Sequence, residues 1–285
     1  MTIKSLILSV LVVFVVTTSF AQANLLNAKS PEEIGVKTEL QMLVDNDRPL
    51  EYGYVDDRDV LWSKVVWEFV DFNQKINFPY YFPTDTTNIS SDRRSLFDTL
   101  IKGIKQGKIE EVYSDSFFTS KITQSEIDSR LINIRDENGY KDTFNIQTED
   151  VEGFMIKGIW YFDKRQGELK YRLLALAPMG KDVQTLGVSE IDDENLYELF
   201  WIFYPSARNI LHKSKIFNPK NTMQSISFDH LLNARRFSAT IVREENIYGN
   251  RAISDYVRGN SLFQLLEANK IKEEIRNKEM DMWNY

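Results

Sequence analysis

Few residues in this chain are of a kind that does proton or metal chemistry. The two histidines, His212 and His230, stand in separate segments. A Ser-His-acid site would need one of them beside a nucleophile on a G-x-S-x-G-type turn, and the chain has no such turn. A zinc site built on histidine wants closely spaced partners such as H-E-x-x-H, which do not occur. The cysteine count of 0 removes thiolate ligands and disulfides together. Glycine totals only 12, and neither a P-loop nor G-x-G-x-x-G is present, so no cofactor is expected. Carboxylates remain. With 42 Asp+Glu some pair will lie about 5 to 9 Å apart in any fold, which is all that a glycosidase-type hydrolase needs. Spacing alone does not pick one out. Asp56-Asp57 and Asp192-Asp193-Glu194 read more simply as acids at helix starts.

Aromatic residues are the sharper feature. Trp62, Trp67, Trp160, Trp201 and Trp283 are spread along the chain, and Trp160 and Trp201 read as core. Trp283 and Tyr285 stand apart, in Asp281-Met-Trp-Asn-Tyr285, where an aromatic pair is either tucked onto the domain or docked on a neighbour. They are the candidate interaction anchors.

The elements that would position these residues switch period twice. Asp57 or Asp59 would cap a first helix with Leu61, Val65, Phe69 and Phe72 on one face. A second helix begins near Arg93, carries Leu96, Leu100 and Ile104, and stops at Gly107. Thr123-Gln-Ser-Glu126 has capping-box spacing and opens a third. Phe154 to Phe162 and Leu169 to Ala177 then read as two strands of a hairpin, the second alternating Lys170 and Arg172 with apolar residues. Leu196 to Tyr204 is a strand or a helix. Pro205 suits the first turn of a helix through His212, Ser227 caps another through Arg236, and Ala239 to Glu244 is a strand. Two helices follow, the last from about Ser261 to Lys278. The fold class is therefore α+β, with helices at both ends and a central antiparallel hairpin or small sheet.

The first residues point to export. Lys4 precedes an apolar run from Leu6 to Val16, and the small residues Ser19, Ala21 and Ala23 follow, which is the anatomy of a secretory signal peptide. Cleavage is expected after Ala21, giving a signal peptide over residues 1–21, with cleavage after Ala23 as the close alternative. Residues 22–55 are polar and weakly periodic, broken by Pro31 and Pro49, and read as an extended arm that orders against a neighbour. Residues 56–285 form the α+β domain. A formal net charge of −7 at pH 7 argues against a nucleic-acid binder.

Several segments resemble GldN/PorN proteins, the gliding-motility and type IX secretion family. They include Asp56-Asp-Arg-Asp-Val-Leu-Trp-Ser-Lys64, Arg93-Arg-Ser-Leu-Phe-Asp-Thr-Leu-Ile101 and Ile159-Trp-Tyr-Phe-Asp-Lys-Arg165. Glu168-Leu-Lys-Tyr-Arg172, Tyr204-Pro-Ser-Ala-Arg208 and Ser227-Phe-Asp-His-Leu-Leu-Asn-Ala-Arg-Arg-Phe237 continue the likeness in order, as does Asp281-Met-Trp-Asn-Tyr285. The resemblance implies a periplasmic, non-enzymatic ring subunit held at the inner face of the outer membrane. Its implied partners are a GldK/PorK-like lipoprotein, a GldM/PorM-like component and a GldL/PorL-like component. Two other readings stay open on the residues themselves, a periplasmic carboxylate-dependent hydrolase and a carbohydrate-binding protein.

Overall fold

The stretch expected to be the first helix is a strand: Val60–Asp71 forms β1. Leu61, Val65, Phe69 and Phe72 do recur at helical spacing. However, the run is rich in β-branched and aromatic residues, which fit a pleated surface better than a helix. Both faces of its second half are covered as well. Val66, Glu68 and Val70 face one layer, Trp67 faces the other, and all four are buried. The polar-apolar alternation that marks a half-exposed strand is therefore lost. Asp56 caps only a single 3-10 turn, Asp57–Asp59, by accepting the Arg58 N–H at 3.1 Å.

The computed structural model describes residues 48–85, 93–137, 140–186, 195–216, 218 and 226–282. The described residues belong to one compact unit. Its centre is the expected hairpin, β5 (Val151–Asp163) with β6 (Glu168–Gly180), paired antiparallel from Asp163↔Glu168 to Val151↔Gly180. The strand β1 lies antiparallel to β5 on its free side. Short strands complete the sheet: β2 (Val112–Tyr113), β7 (Tyr197–Glu198), β8 (Trp201–Phe203) and β11 (Thr240–Glu244). Its order is β11-β1-β5-β6-β8-β2, with β7 paired to β6. Leu196 to Tyr204 thus resolves as two short strands. A separate hairpin joins β3 (Ile132–Glu137) to β4 (Tyr140–Asn145), and a two-residue pair joins β9 (Lys215–Ile216) to β10 (Ile226–Ser227).

Helices layer one face of the sheet. After α1 (Phe78–Tyr81), α2 (Leu96–Lys105) starts where Ser95 Oγ accepts the Asp98 N–H at 3.1 Å, and it ends before Gly107 at φ +66. In α3 (Gln124–Leu131) the Glu126 carboxylate takes the Thr123 N–H at 2.6 Å, as the capping-box spacing predicts. Pro205 sits in the first turn of α4 (Tyr204–Lys213), and Ser227 caps α5 (Phe228–Asn233) through the His230 N–H. The chain then runs through β11 and α6 (Ile253–Tyr256) into α7 (Ser261–Met282). Leu100, Ala207, Leu211, Phe228 and Leu232 of the helices pack on Val70, Phe154, Ile156, Leu176 and Ile202 of the sheet. Farther along the same face, Ala268, Ile271 and Ile275 of α7 pack with Val66 and Ile241. The fold is α+β.

Candidate interaction site

Two helices each present a polar pair at i, i+4, a spacing that puts both side chains on one face. From α4 come Tyr204 and Arg208, and from α5 come Asp229 and Asn233. Arg208 grips the Asp229 carboxylate with two parallel bonds, Nε to Oδ1 at 2.8 Å and NH2 to Oδ2 at 3.1 Å. The same Oδ1 accepts the Tyr204 hydroxyl at 2.7 Å and the Asn233 amide at 2.9 Å. Asp229 is 4 % exposed, so this is a dry, charge-assisted network rather than a surface pair.

The network holds the leading segment, residues 50–54. Arg208 NH2 donates to the Leu50 carbonyl at 2.5 Å, and its guanidinium lies over the Tyr52 ring at 4.2 Å. The Tyr52 hydroxyl donates to Asn233 Oδ1 at 3.0 Å. From the hairpin, Arg172 stacks on the same ring at 4.7 Å and donates to the Gly53 carbonyl, while Arg165 donates to that of Tyr54. Three arginines thus take three carbonyls of one short strip and fix the point where the chain joins the domain.

Burial pushes the Tyr52 hydroxyl up to about 12, with Arg208 pulling it back and Asp229 adding to the rise. Tyr204 is pushed up in the same direction, first by burial and then by Asp229. An unfolded tyrosine loses its proton near pH 10. Between about pH 10 and 12 the unfolded chain therefore releases protons that the folded one keeps, and stability falls as pH rises. The thermal midpoint is expected to stay level from about pH 8 to 9.5 and then drop. Tyr52→Phe should make that alkaline slope shallower; parallel slopes would mean that Tyr52 titrates as it does in the unfolded chain.

A second network sits where α5 gives way to β11. Arg235, at φ +49, turns its guanidinium back to Glu68 on β1, with NH1 to Oε2 and NH2 to Oε1 both at 2.9 Å. That turn ends α5 at Asn233, short of the Arg236 expected from sequence. The guanidinium rests over Tyr171 at 3.9 Å and Trp160 at 4.9 Å. Tyr171 reaches Glu68 Oε2 at 3.3 Å by crossing Gly158, where a Cβ would fall 2.1 Å from the tyrosine oxygen. Only glycine leaves that path open.

On the opposite face of the sheet Lys157, 9 % exposed, lies among Phe117 (4.8 Å), Trp67 (5.0 Å) and Phe118 (5.5 Å) and donates to the Ser116 carbonyl at 2.8 Å. Burial holds its amine below the ordinary lysine value, with Glu245 and Asp115 acting against that shift. Asp115 folds the covering loop by accepting from the Phe117 N–H and from the N–H and hydroxyl of Thr119.

The chain matches the family described as "Gliding motility associated protein GldN" over residues 55–284. It belongs to the GldN family. No curated protein matches it. In this GldN-family chain, the segments that carried the resemblance hold both networks: Tyr204 and Arg208, Asp229, Asn233 and Arg235, and Arg165, Tyr171 and Arg172.

The structure distributes the other sequence candidates widely. Trp283 and Tyr285 lie outside the described residues, as do Asp192, Asp193 and Glu194. Trp201 is fully buried and donates its indole N–H to Glu198 at 2.7 Å, whereas Trp160 is half-buried beside Arg235. His212 stands in the last turn of α4 and His230 on the exposed side of α5. Among the described residues the buried carboxylates are Glu68, Asp163 and Asp229. Each faces a cation, with Lys170 at 3.7 Å from Asp163. The arginine networks were not singled out from sequence; the i, i+4 spacing of Tyr204 with Arg208 and of Asp229 with Asn233 was the available signal.

Proposed function

We propose that this GldN-family chain is a non-enzymatic structural subunit of a periplasmic ring, attached to the outer membrane through a GldK/PorK-like lipoprotein. In that ring it supports type IX protein secretion and gliding motility, in contact with GldM/PorM-like and GldL/PorL-like trans-envelope components. The family match carries the reading, because it spans residues 55–284 and so takes in nearly the whole described domain. Two features favour a structural role. The buried acids are engaged by cations in packing networks, which occupies the lone pairs that an acid-base catalyst would turn to a substrate. The clamp on residues 50–54 gives the preceding segment a fixed departure point, as suits a subunit joined to neighbours through an arm. The reading places the mature chain in the periplasm after removal of residues 1–21.

A pull-down of the tagged mature chain from envelope extracts tests this. The mature chain should come down with a lipoprotein and elute far above the 33.4 kDa of even the full 285-residue chain. Recovery should survive alanine at any single exposed Asp or Glu. A monomer with hydrolytic activity that vanishes on one such change would instead make it a carboxylate hydrolase.

A further inference from the structure

The last helix, α7, is apolar on two opposite sides at its start. Toward the domain it buries Ala268, Ile271 and Ile275. Nine residues at about 100° each make two and a half turns, so Leu262 points away from Ile271, and Leu266 away from Ile275. Leu262, Phe263, Leu265 and Leu266 are accordingly 45 to 61 % exposed. A helix apolar all round is normally buried all round, and the described part of the domain covers only one side of this one. The apolar outer side ends after two turns, where Asn269, Lys270 and Glu273 take over. The loop between β11 and α6 presents more of the same chemistry. Asn246 Oδ1 accepts the N–H groups of Tyr248 at 3.0 Å and Asn250 at 3.1 Å, and Asn250 Oδ1 accepts that of Asn246 at 3.0 Å. This cross-brace fixes a loop whose tip holds Ile247 91 % exposed and Tyr248 65 % exposed. Arg251 lies over the Tyr248 ring at 5.3 Å, and Tyr256 stands within electrostatic reach of both Arg251 and Glu267, which brings the loop beside the start of α7.

We propose that this end of the molecule, the first two turns of α7 with the Ile247-Tyr248 loop, is a phospholipid-contact surface that dips into the headgroup layer of a bilayer. Charge at its boundary favours that occupant. Glu244 is held by Lys64, Glu245 acts on Lys157 on the other face of the sheet, and Glu267 pairs with Lys270 at 3.6 Å. The Asp255 carboxylate accepts the Ala252 N–H at 2.9 Å. Arg251 and Arg258 are thus left without a carboxylate among the described residues, and lipid phosphates are the groups that their guanidinium forks match. Tyrosine beside apolar tips is the composition of a membrane interface. The apolar side chains project from a helix and a loop tip, and an acyl phase takes projecting tips without a preformed counterpart, whereas a protein needs a groove cut to fit them. The apolar area is of the order of one acyl chain, so binding is reversible, with an association constant of about 10⁴ M⁻¹. This inference rests on the patch itself and adds a direct lipid contact to the proposed attachment through a lipoprotein.

The test uses the purified mature chain and vesicles of phosphatidylethanolamine and phosphatidylglycerol at about three to one. The parent should sediment with the vesicles. Leu262→Glu combined with Leu266→Glu should cut that binding at least about tenfold while leaving the thermal midpoint within about 2 °C, since both side chains are exposed. Ile247→Asp, on the loop, should lower binding several-fold and serves as the second variant if the helix change folds poorly. Arg251→Gln and Arg258→Gln should each weaken binding about fivefold and flatten its salt dependence. The chain has no cysteine, so one introduced thiol carries an environment-sensitive dye to a single place. The dye on Leu265→Cys should shift to the blue when vesicles are added, and on Asn277→Cys, in the polar half of α7, it should not. A parent that does not sediment with vesicles overturns the proposal, as does vesicle binding that the paired glutamates leave unchanged. A blue shift without lipid that grows with protein concentration overturns it by assigning the patch to a second copy. A shift that needs envelope proteins overturns it by assigning the patch to a protein partner. Recovery of the lipoprotein is not read in any of these measurements, so failure here and failure of the assembly reading remain distinct.

Discussion

Replacing Asp229 by alanine should cost about 3 to 5 kcal/mol of stability, the usual penalty for stranding one half of a buried ion pair. In a domain of this size that corresponds to a fall in thermal midpoint of roughly 8 to 15 °C. The size follows from what the carboxylate does. Its two oxygens neutralise Arg208, whose side chain is only 11 % exposed, and one of them also satisfies Tyr204 and Asn233. Alanine leaves three donors pointing at a void that water reaches poorly. Asp229→Asn keeps the shape and one acceptor, and should fall between the parent and Asp229→Ala. The paired change Arg208→Met with Asp229→Leu removes both charges and should cost less than Asp229→Ala alone. A second readout separates this from ordinary core damage. Arg208 freed from Asp229 no longer holds Leu50 and Tyr52, so a protease should cut between residues 48 and 55 faster in Asp229→Ala than in an equally destabilised core variant such as Leu100→Ala. Equal cutting in the two variants would mean that the network does not position the leading segment.

Local patterns were readable where one element decides its own form. The alternation from Leu169 to Ala177 announces β6; Ser95 and Ser227 stand at helix starts because a side-chain oxygen there accepts a free helix N–H, and at Thr123 the Glu126 carboxylate takes the cap's own N–H. The reading failed at β1, where burial on both faces fills the positions that would show a strand period, and where the apolar set then matches helical spacing by coincidence. The clamp and the Arg235 network were beyond reach for a different reason. Arg208 meets Leu50 across 158 residues, and Arg235 meets Glu68 across 167. Such pairings are set by how the helices pack on the sheet, which no window of sequence contains. The motif likeness nonetheless ran through these segments, since Tyr204 to Arg208 and Ser227 to Phe237 supply the networks.

Deletion of residues 24–47 should leave the thermal midpoint within about 1 °C of the parent and cut recovery of the proposed lipoprotein partner at least about tenfold. Extending the deletion through Tyr54 should lower the midpoint by several degrees as well. The boundary is set by bonds. From Leu50 to Tyr54 the chain gives three carbonyls to Arg208, Arg172 and Arg165, and Tyr52 fills the space between two of those guanidinium groups. Removing that strip exposes the buried Arg208 guanidinium and deprives Asn233 of the Tyr52 hydroxyl, a loss of the order of 1 to 3 kcal/mol. Residues 22–47 have a different composition, with few aromatics and no clean period. Ordering such a stretch costs about 1 to 2 kcal/mol per residue in backbone entropy, and the arm reading takes that cost to be offset only against a neighbour. On the proposed assembly reading a neighbour supplies the missing surface, and the clamp on residues 50–54 contributes by fixing where the stretch departs, so that fewer orientations are lost on docking. The expected result is therefore a split phenotype: assembly lost with stability intact for the shorter deletion, both lost for the longer. A shorter deletion that drops the midpoint by many degrees while leaving partner recovery unchanged would make residues 22–47 part of the domain's own packing and remove the arm from the assembly.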